Sequence, residues 1–161
     1  MIKANDKSLS SWIEVLRNSD FPIQNIPFGV FTTKANKTVV GTRIGDTAID
    51  LNQLATLGLL DVDANVFAQD KMNDFIKLGK KTTRLVRDQI SDVFSTANTK
   101  SKSDDKIKAA LHPVAEITML LPIRIGDYTD FYSSIEHATN VGTMFRDPAN
   151  ALLPNWKHIP V

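Results

Sequence analysis

The feature that most constrains the fold is a run of three short β-prone segments with turns too tight for anything but antiparallel pairing. Gly29-Val30-Phe31-Thr32-Thr33 is rich in β-branched and aromatic residues, and a polar turn at Lys34 to Lys37 follows. Thr38-Val39-Val40-Gly41-Thr42-Arg43-Ile44 is the second segment and Thr47-Ala48-Ile49-Asp50-Leu51 the third. The two residues between them, Gly45-Asp46, put glycine first, which suits a type II′ hairpin. Three such strands in sequence predict a small antiparallel sheet or barrel.

Around this centre the pattern is mostly helical. Leu9, Ile13 and Leu16 fall at helical spacing behind Ser8, which predicts a short helix over residues 8–17. Pro22 and Pro27 make the next stretch an extended connection. A helix is expected over Asn52 to Leu60. Phe75, Leu78, Leu85, Val86, Ile90 and Val93 mark a longer one from about Asn73 to Phe94, which Gly79 weakens by about 1 kcal/mol. Ser95 to Lys106 lacks an apolar period and reads as a loop. Thr118-Met119-Leu120-Leu121-Pro122 reads as a buried strand beyond a domain boundary between Ser101 and Glu116.

Composition narrows the function classes. The net charge of +1 gives no electrostatic case for nucleic acid. Lys77, Lys80, Lys81, Arg84 and Arg87 cluster locally, but Asp74, Asp88 and Asp92 flank them, as on a solvated helix face. The chain has no cysteine, which removes disulfides, thiolate metal sites and thiol nucleophiles. Neither a signal-peptide core at the amino terminus nor an apolar run of bilayer length is present, so a soluble protein is expected.

Reactive side chains are densest in Gly126-Asp127-Tyr128-Thr129-Asp130-Phe131-Tyr132-Ser133-Ser134-Ile135-Glu136-His137. If residues 127–132 are extended, Tyr128, Asp130 and Tyr132 share one face and Phe131 anchors the other. Ser133 and Glu136 have the spacing of a capping box, so a helix is expected from Ser133 or Ser134 to Phe145. His137 then lies in its first turn, where the positive helix end disfavours imidazolium, and Arg146 closes its far end. These residues fit a polar pocket. They equally fit blander roles: Asp130 as a cap or surface carboxylate, His137 as an exposed histidine, Glu136 as a capping group. His112 and His158 lie in loop-like sequence and suggest no chemistry.

Two separated motifs carry a resemblance. Asp127-Tyr128-Thr129-Asp130-Phe131-Tyr132-Ser133-Ser134 followed by His137-Ala138-Thr139-Asn140-Val141-Gly142 is similar to the catalytic-domain entry of the fumarylacetoacetase family. Met144-Phe145-Arg146-Asp147 and Leu153-Pro154-Asn155-Trp156 continue the match. The stretch from Ser19 to Phe31 resembles the family's amino-terminal signature.

The resemblance implies an α+β fold, mainly β with helices. A Src-homology-3-like barrel domain would span residues 1–115, and residues 116–161 would begin a mixed β-roll catalytic domain that stops before the site is complete. It implies hydrolysis of a carbon–carbon bond in 4-fumarylacetoacetate, giving fumarate and acetoacetate in tyrosine and phenylalanine catabolism. Asp130 would be a ligand of a calcium or magnesium ion, Tyr132 and Arg146 would bind substrate, and His137 would be the general base. The intact protein would be a cytoplasmic homodimer acting on a small diketo acid, with no nucleic-acid or membrane partner, and this stretch alone would be inactive. The alternatives are a non-catalytic interaction or dimerisation module and a related hydrolase of acylpyruvate type.

Overall fold

The computed structural model describes residues 3–130 and 132–158. The expected anchoring role of Phe131 lies outside the described residues. Three strands form as expected: β1 is Phe28–Thr32, β2 is Thr38–Ile44 and β3 is Thr47–Asp50. The turns between them use the residues that tolerate left-handed backbone. Asn36 has φ 63° and Gly45 φ 53°. Asp46 keeps negative φ, the sign pattern of a type II′ turn. Gly45 is needed twice over, since a Cβ there would stand 2.2 Å from the Glu14 carbonyl oxygen.

Helix α1 is Leu51–Thr56, capped by Asp50, whose carboxylate accepts from the Gln53 amide at 3.1 Å. The expected long helix is two. Helix α2 is Asn73–Lys77 and α3 is Gly79–Phe94, separated at Gly79, which has φ 80°. The glycine does more than weaken a continuous helix. It takes a conformation that a helix interior excludes, and the axis restarts there.

Two further expectations fail for tertiary reasons. Residues 8–17 are not helical. Ser11 bridges Ser95, the Trp12 amide donates to the Phe94 carbonyl at 3.0 Å, and the Thr96 amide donates to Ser10 at 2.9 Å. The Trp12 ring packs on Phe94 with centroids 5.2 Å apart. Pairing with the end of α3 thus satisfies the backbone that a helix would have satisfied internally. Residues 95–106 are not a plain loop either. Helix α4 is Thr99–Ser103 and α5 is Asp105–Lys108, capped by Asn98 and Asp104. Strand β4, Leu111–Pro113, follows, and β5 is Thr118–Leu120.

The fold is α+β, with more helix than strand. Among the described residues five strands form one open antiparallel sheet in the order β4-β3-β2-β1-β5. One face carries Val30, Val40, Ile44 and Ile49 into a core with Leu54, Phe67, Phe75, Ile90 and Phe94. Phe75 sits at its aromatic centre, 4.9 Å from Phe67 and 5.0 Å from Phe28 between ring centroids. Burying such a ring contributes about 2–3 kcal/mol. The other face is apolar too. There Phe31, Gly41, Ala48, Val114, Ile117 and Met119 line a cavity of about 390 Å³.

Strand β5 is an edge strand rather than a buried one, and Met119 is 63% exposed. Its pairing with β1 ties residues 118–120 to the first sheet. The Met72 amide donates to the Pro122 carbonyl at 2.8 Å, and the Asn73 side chain bonds both backbone groups of Arg124. The chain accordingly forms two compact units, Met1–Arg124 and Ile125–Val161, dividing later than the expected boundary at 115/116.

Candidate functional site

The second unit is built on helix α6, Ile135–Phe145. Its cap is one residue out of the register expected for a capping box. Ser134, not Ser133, is the N-cap, and its hydroxyl oxygen accepts from the His137 amide at 3.3 Å. The same hydroxyl donates to the Glu136 carboxylate at 2.8 Å. That hydrogen bond, and after it the Glu136 backbone amide, holds the Glu136 carboxyl below its usual range. Glu136 therefore serves the helix start and does not pair with His137.

Ala138 and Gly142, four residues apart, are the buried face of α6. The returning chain packs on them through Ala151. A Cβ on Gly142 would lie 2.0 Å from the Ala151 carbonyl oxygen, so only glycine admits that approach. The Arg146 guanidinium, at the helix end, donates to the same carbonyl at 3.2 Å. Two short turns of 3₁₀ helix, Pro148–Asn150 and Pro154–His158, carry the chain back beside the extended segment that precedes α6. There the Trp156 indole donates to the Tyr132 carbonyl at 2.8 Å.

These contacts enclose a cavity of about 490 Å³ whose walls include Asp130, Tyr132, Phe145, Arg146, Asn155 and Trp156. Three of the four expected site residues, Asp130, Tyr132 and Arg146, thus share one cavity. His137 joins through its neighbour: its ring meets the Tyr132 ring edge to face, with centroids 4.9 Å apart and planes at 81°. Tyr128 is 83% exposed and does not line the cavity. A carboxylate, a phenol and a guanidinium around an apolar floor can hold a small polar molecule by its oxygens. The cavity on the first unit's sheet has no such set. Its one charged side chain, Arg43, is committed to the Gly45 carbonyl at 2.7 Å and to Asp46 at 2.9 Å. Of the residues without expected chemistry, His112 packs its ring on Phe31 in the first sheet.

A hard divalent cation asks for six or more oxygen ligands. The cavity offers one carboxylate, Asp130, and among the described residues no group of three or more acidic or histidine side chains could hold an ion. The residues present do not make a cation site by themselves.

Asn155 and Trp156 were given no role by the sequence. Trp156 lies 24 residues downstream of the Tyr132 carbonyl it meets, and the only signal for either residue was its place in the Leu153-Pro154-Asn155-Trp156 motif.

The family model of the fumarylacetoacetase amino-terminal domain matches residues 24–122, and the chain belongs to that family. Over 95% of its length it is 47% identical to a fumarylacetoacetase of Dictyostelium discoideum. Over 94% of its length it is 45% identical to one of Rattus norvegicus and 44% identical to one of Homo sapiens. The chain spans 37% of the length of each of these relatives.

Proposed function

We propose that the chain is the front part of a fumarylacetoacetase and supplies one wall of its active site. The observation that carries this reading is the shared cavity of Asp130, Tyr132 and Arg146, with His137 packed on the Tyr132 ring. The overall reaction adds water across a carbon–carbon bond of 4-fumarylacetoacetate. Water oxygen bonds to the carbonyl carbon of the fumaryl group, the bond from that carbon to the acetoacetate methylene breaks, the carbon becomes the new carboxylate of fumarate, and acetoacetate leaves as a carbanion that takes up a proton.

In this reading His137 accepts the proton that water loses on attack. Its place in the first turn of an anchored helix holds the ring without closing it off from solvent. Arg146 binds a substrate carboxylate away from the reacting carbon, so that binding energy is turned into orientation. The Tyr132 phenol donates a hydrogen bond to a substrate oxygen. Asp130 would supply one carboxylate to a calcium or magnesium ion, which would polarise the attacked carbonyl. In this reading the 161-residue chain is inactive by itself, and the whole protein is a cytoplasmic homodimer.

The test compares this chain with a version extended to the relatives' length. Loss of diketo absorbance is followed with calcium or magnesium added, and metal binding is measured by calorimetry. The extended protein should turn over and bind the ion, the 161-residue chain should do neither, and His137→Gln in the extended protein should lower kcat about 100-fold or more. An extended protein that is folded, metal-supplied and inert, or a His137→Gln variant with full turnover, would sink the proposal.

A further inference from the structure

Among the described residues, Asp130 and Tyr132 belong to no strand, so no strand ladder holds either of them. At the end of their segment nearest α6, Ser134 is held by the helix cap. Upstream of that cap, the described hydrogen bond on the Tyr132 backbone is the one from the Trp156 indole. The same return segment seats the Ala151 carbonyl over Gly142 and under the Arg146 guanidinium. Residues 151–156 therefore grip both sides of the cavity, at Arg146 through a backbone oxygen and at Tyr132 through an indole N–H.

We propose that Trp156 is a positioning residue: its indole hydrogen bond fixes the Tyr132 backbone, and thereby sets the Tyr132 ring against the His137 imidazole. This rests on the site reading above only in giving that ring pair a use; the contact itself does not depend on it. The reason for a tryptophan is chemical. The bond needs a donor on a side chain long enough to cross the cavity wall, and an indole provides one with an apolar body that also fills the wall. Phenylalanine keeps most of the body and removes the donor. The Tyr132 carbonyl then loses its described donor, the segment gains rotational freedom, and a ring pair 4.9 Å apart loses its fixed geometry.

The 161-residue chain itself supports the test, by nuclear magnetic resonance, with no need for activity. Tyr132 meets His137 edge to face, so its ring current displaces the His137 ring-proton resonances. The Trp156 indole N–H should exchange slowly with solvent, like that of Trp12, which donates to the Val93 carbonyl at 3.0 Å. Tyr132→Leu should remove the His137 displacement while leaving the Trp156 indole protected, because the acceptor is backbone. Trp156→Phe should move the His137 resonances at least halfway toward their Tyr132→Leu positions. His112, in the first unit, should stay where it is, and α6 amide protection reports that the helix persists. A freely exchanging Trp156 indole in the unmodified chain overturns the proposal without any variant having to fold. Unmoved His137 resonances in a folded Trp156→Phe protein overturn it as well. Neither result bears on whether the extended protein is an enzyme, and an inert extended protein leaves the Trp156 result standing.

Discussion

Replacing Gly142 with alanine sets two effects against each other. Alanine in a helix interior is favoured over glycine by about 1 kcal/mol. Here, however, the new methyl carbon would lie 2.0 Å from the Ala151 carbonyl oxygen. That is about 1 Å inside the closest tolerable approach, so the return segment must move. Overpacking of this kind costs about 1–3 kcal/mol. Moving the carbonyl by about 1 Å also breaks its 3.2 Å bond with Arg146, which adds roughly 0.5–1 kcal/mol for an exposed guanidinium. The clash should win by about 1–2 kcal/mol, and α6 amides should exchange some 5- to 30-fold faster. Gly126→Ala is the control in the same unit, since a Cβ there meets nothing within 4 Å, and it should stay within about 0.5 kcal/mol of the parent. Amide exchange read by mass spectrometry or magnetic resonance decides the matter. If Gly142→Ala slows exchange in α6, helix propensity outweighs the contact, and the packing of Ala151 on that helix is not as argued.

Asp50 is fully buried and accepts from the Gln53 amide, the Gln53 side chain and Lys37. Asp50→Ala removes the cap of α1 and strands those donors, and should cost the first unit about 2–3 kcal/mol in chemical denaturation. For Glu136, whose pKa is depressed in the folded chain, the stabilisation is present above the ordinary carboxylate pKa and is lost as pH falls through the lowered value. Ser134→Ala removes the hydrogen bond responsible, so Glu136 should titrate at higher pH in a carboxyl-carbon titration, and α6 should become less protected.

What sequence made legible was what local chemistry decides. The hairpins follow from Asn36 and Gly45, whose positive φ the flanking β-branched residues could not adopt. Helix α6 follows from a serine cap ahead of an apolar stripe, although two adjacent serines left its register open by one. Residues 8–17 show the opposite case. Leu9, Ile13 and Leu16 have helical spacing, yet Leu16 is 56% exposed and the backbone pairs with residues 94–96, a choice made by chain 80 or so residues away. In α4 and α5 the caps Asn98 and Asp104 were in view, but helices of four or five residues bury too little to leave a period. At the site, alternation grouped Asp130 with Tyr132, and both line the cavity. It did so without a strand, and it overreached at Tyr128, because nothing in residues 126–129 records where the return segment will lie.

The short pairing of β5 bears on how the molecule behaves in a crowded solution. An outermost strand bearing Met119 and followed by Leu121, both mostly open to water, invites a foreign backbone to zip alongside it. Pro122 stands two residues past the last β1 partner, and it has no amide hydrogen to offer an invading strand. That ring acts as a stopper on templated assembly, and exchanging it for valine should shorten the lag before fibrils or amorphous clumps scatter light.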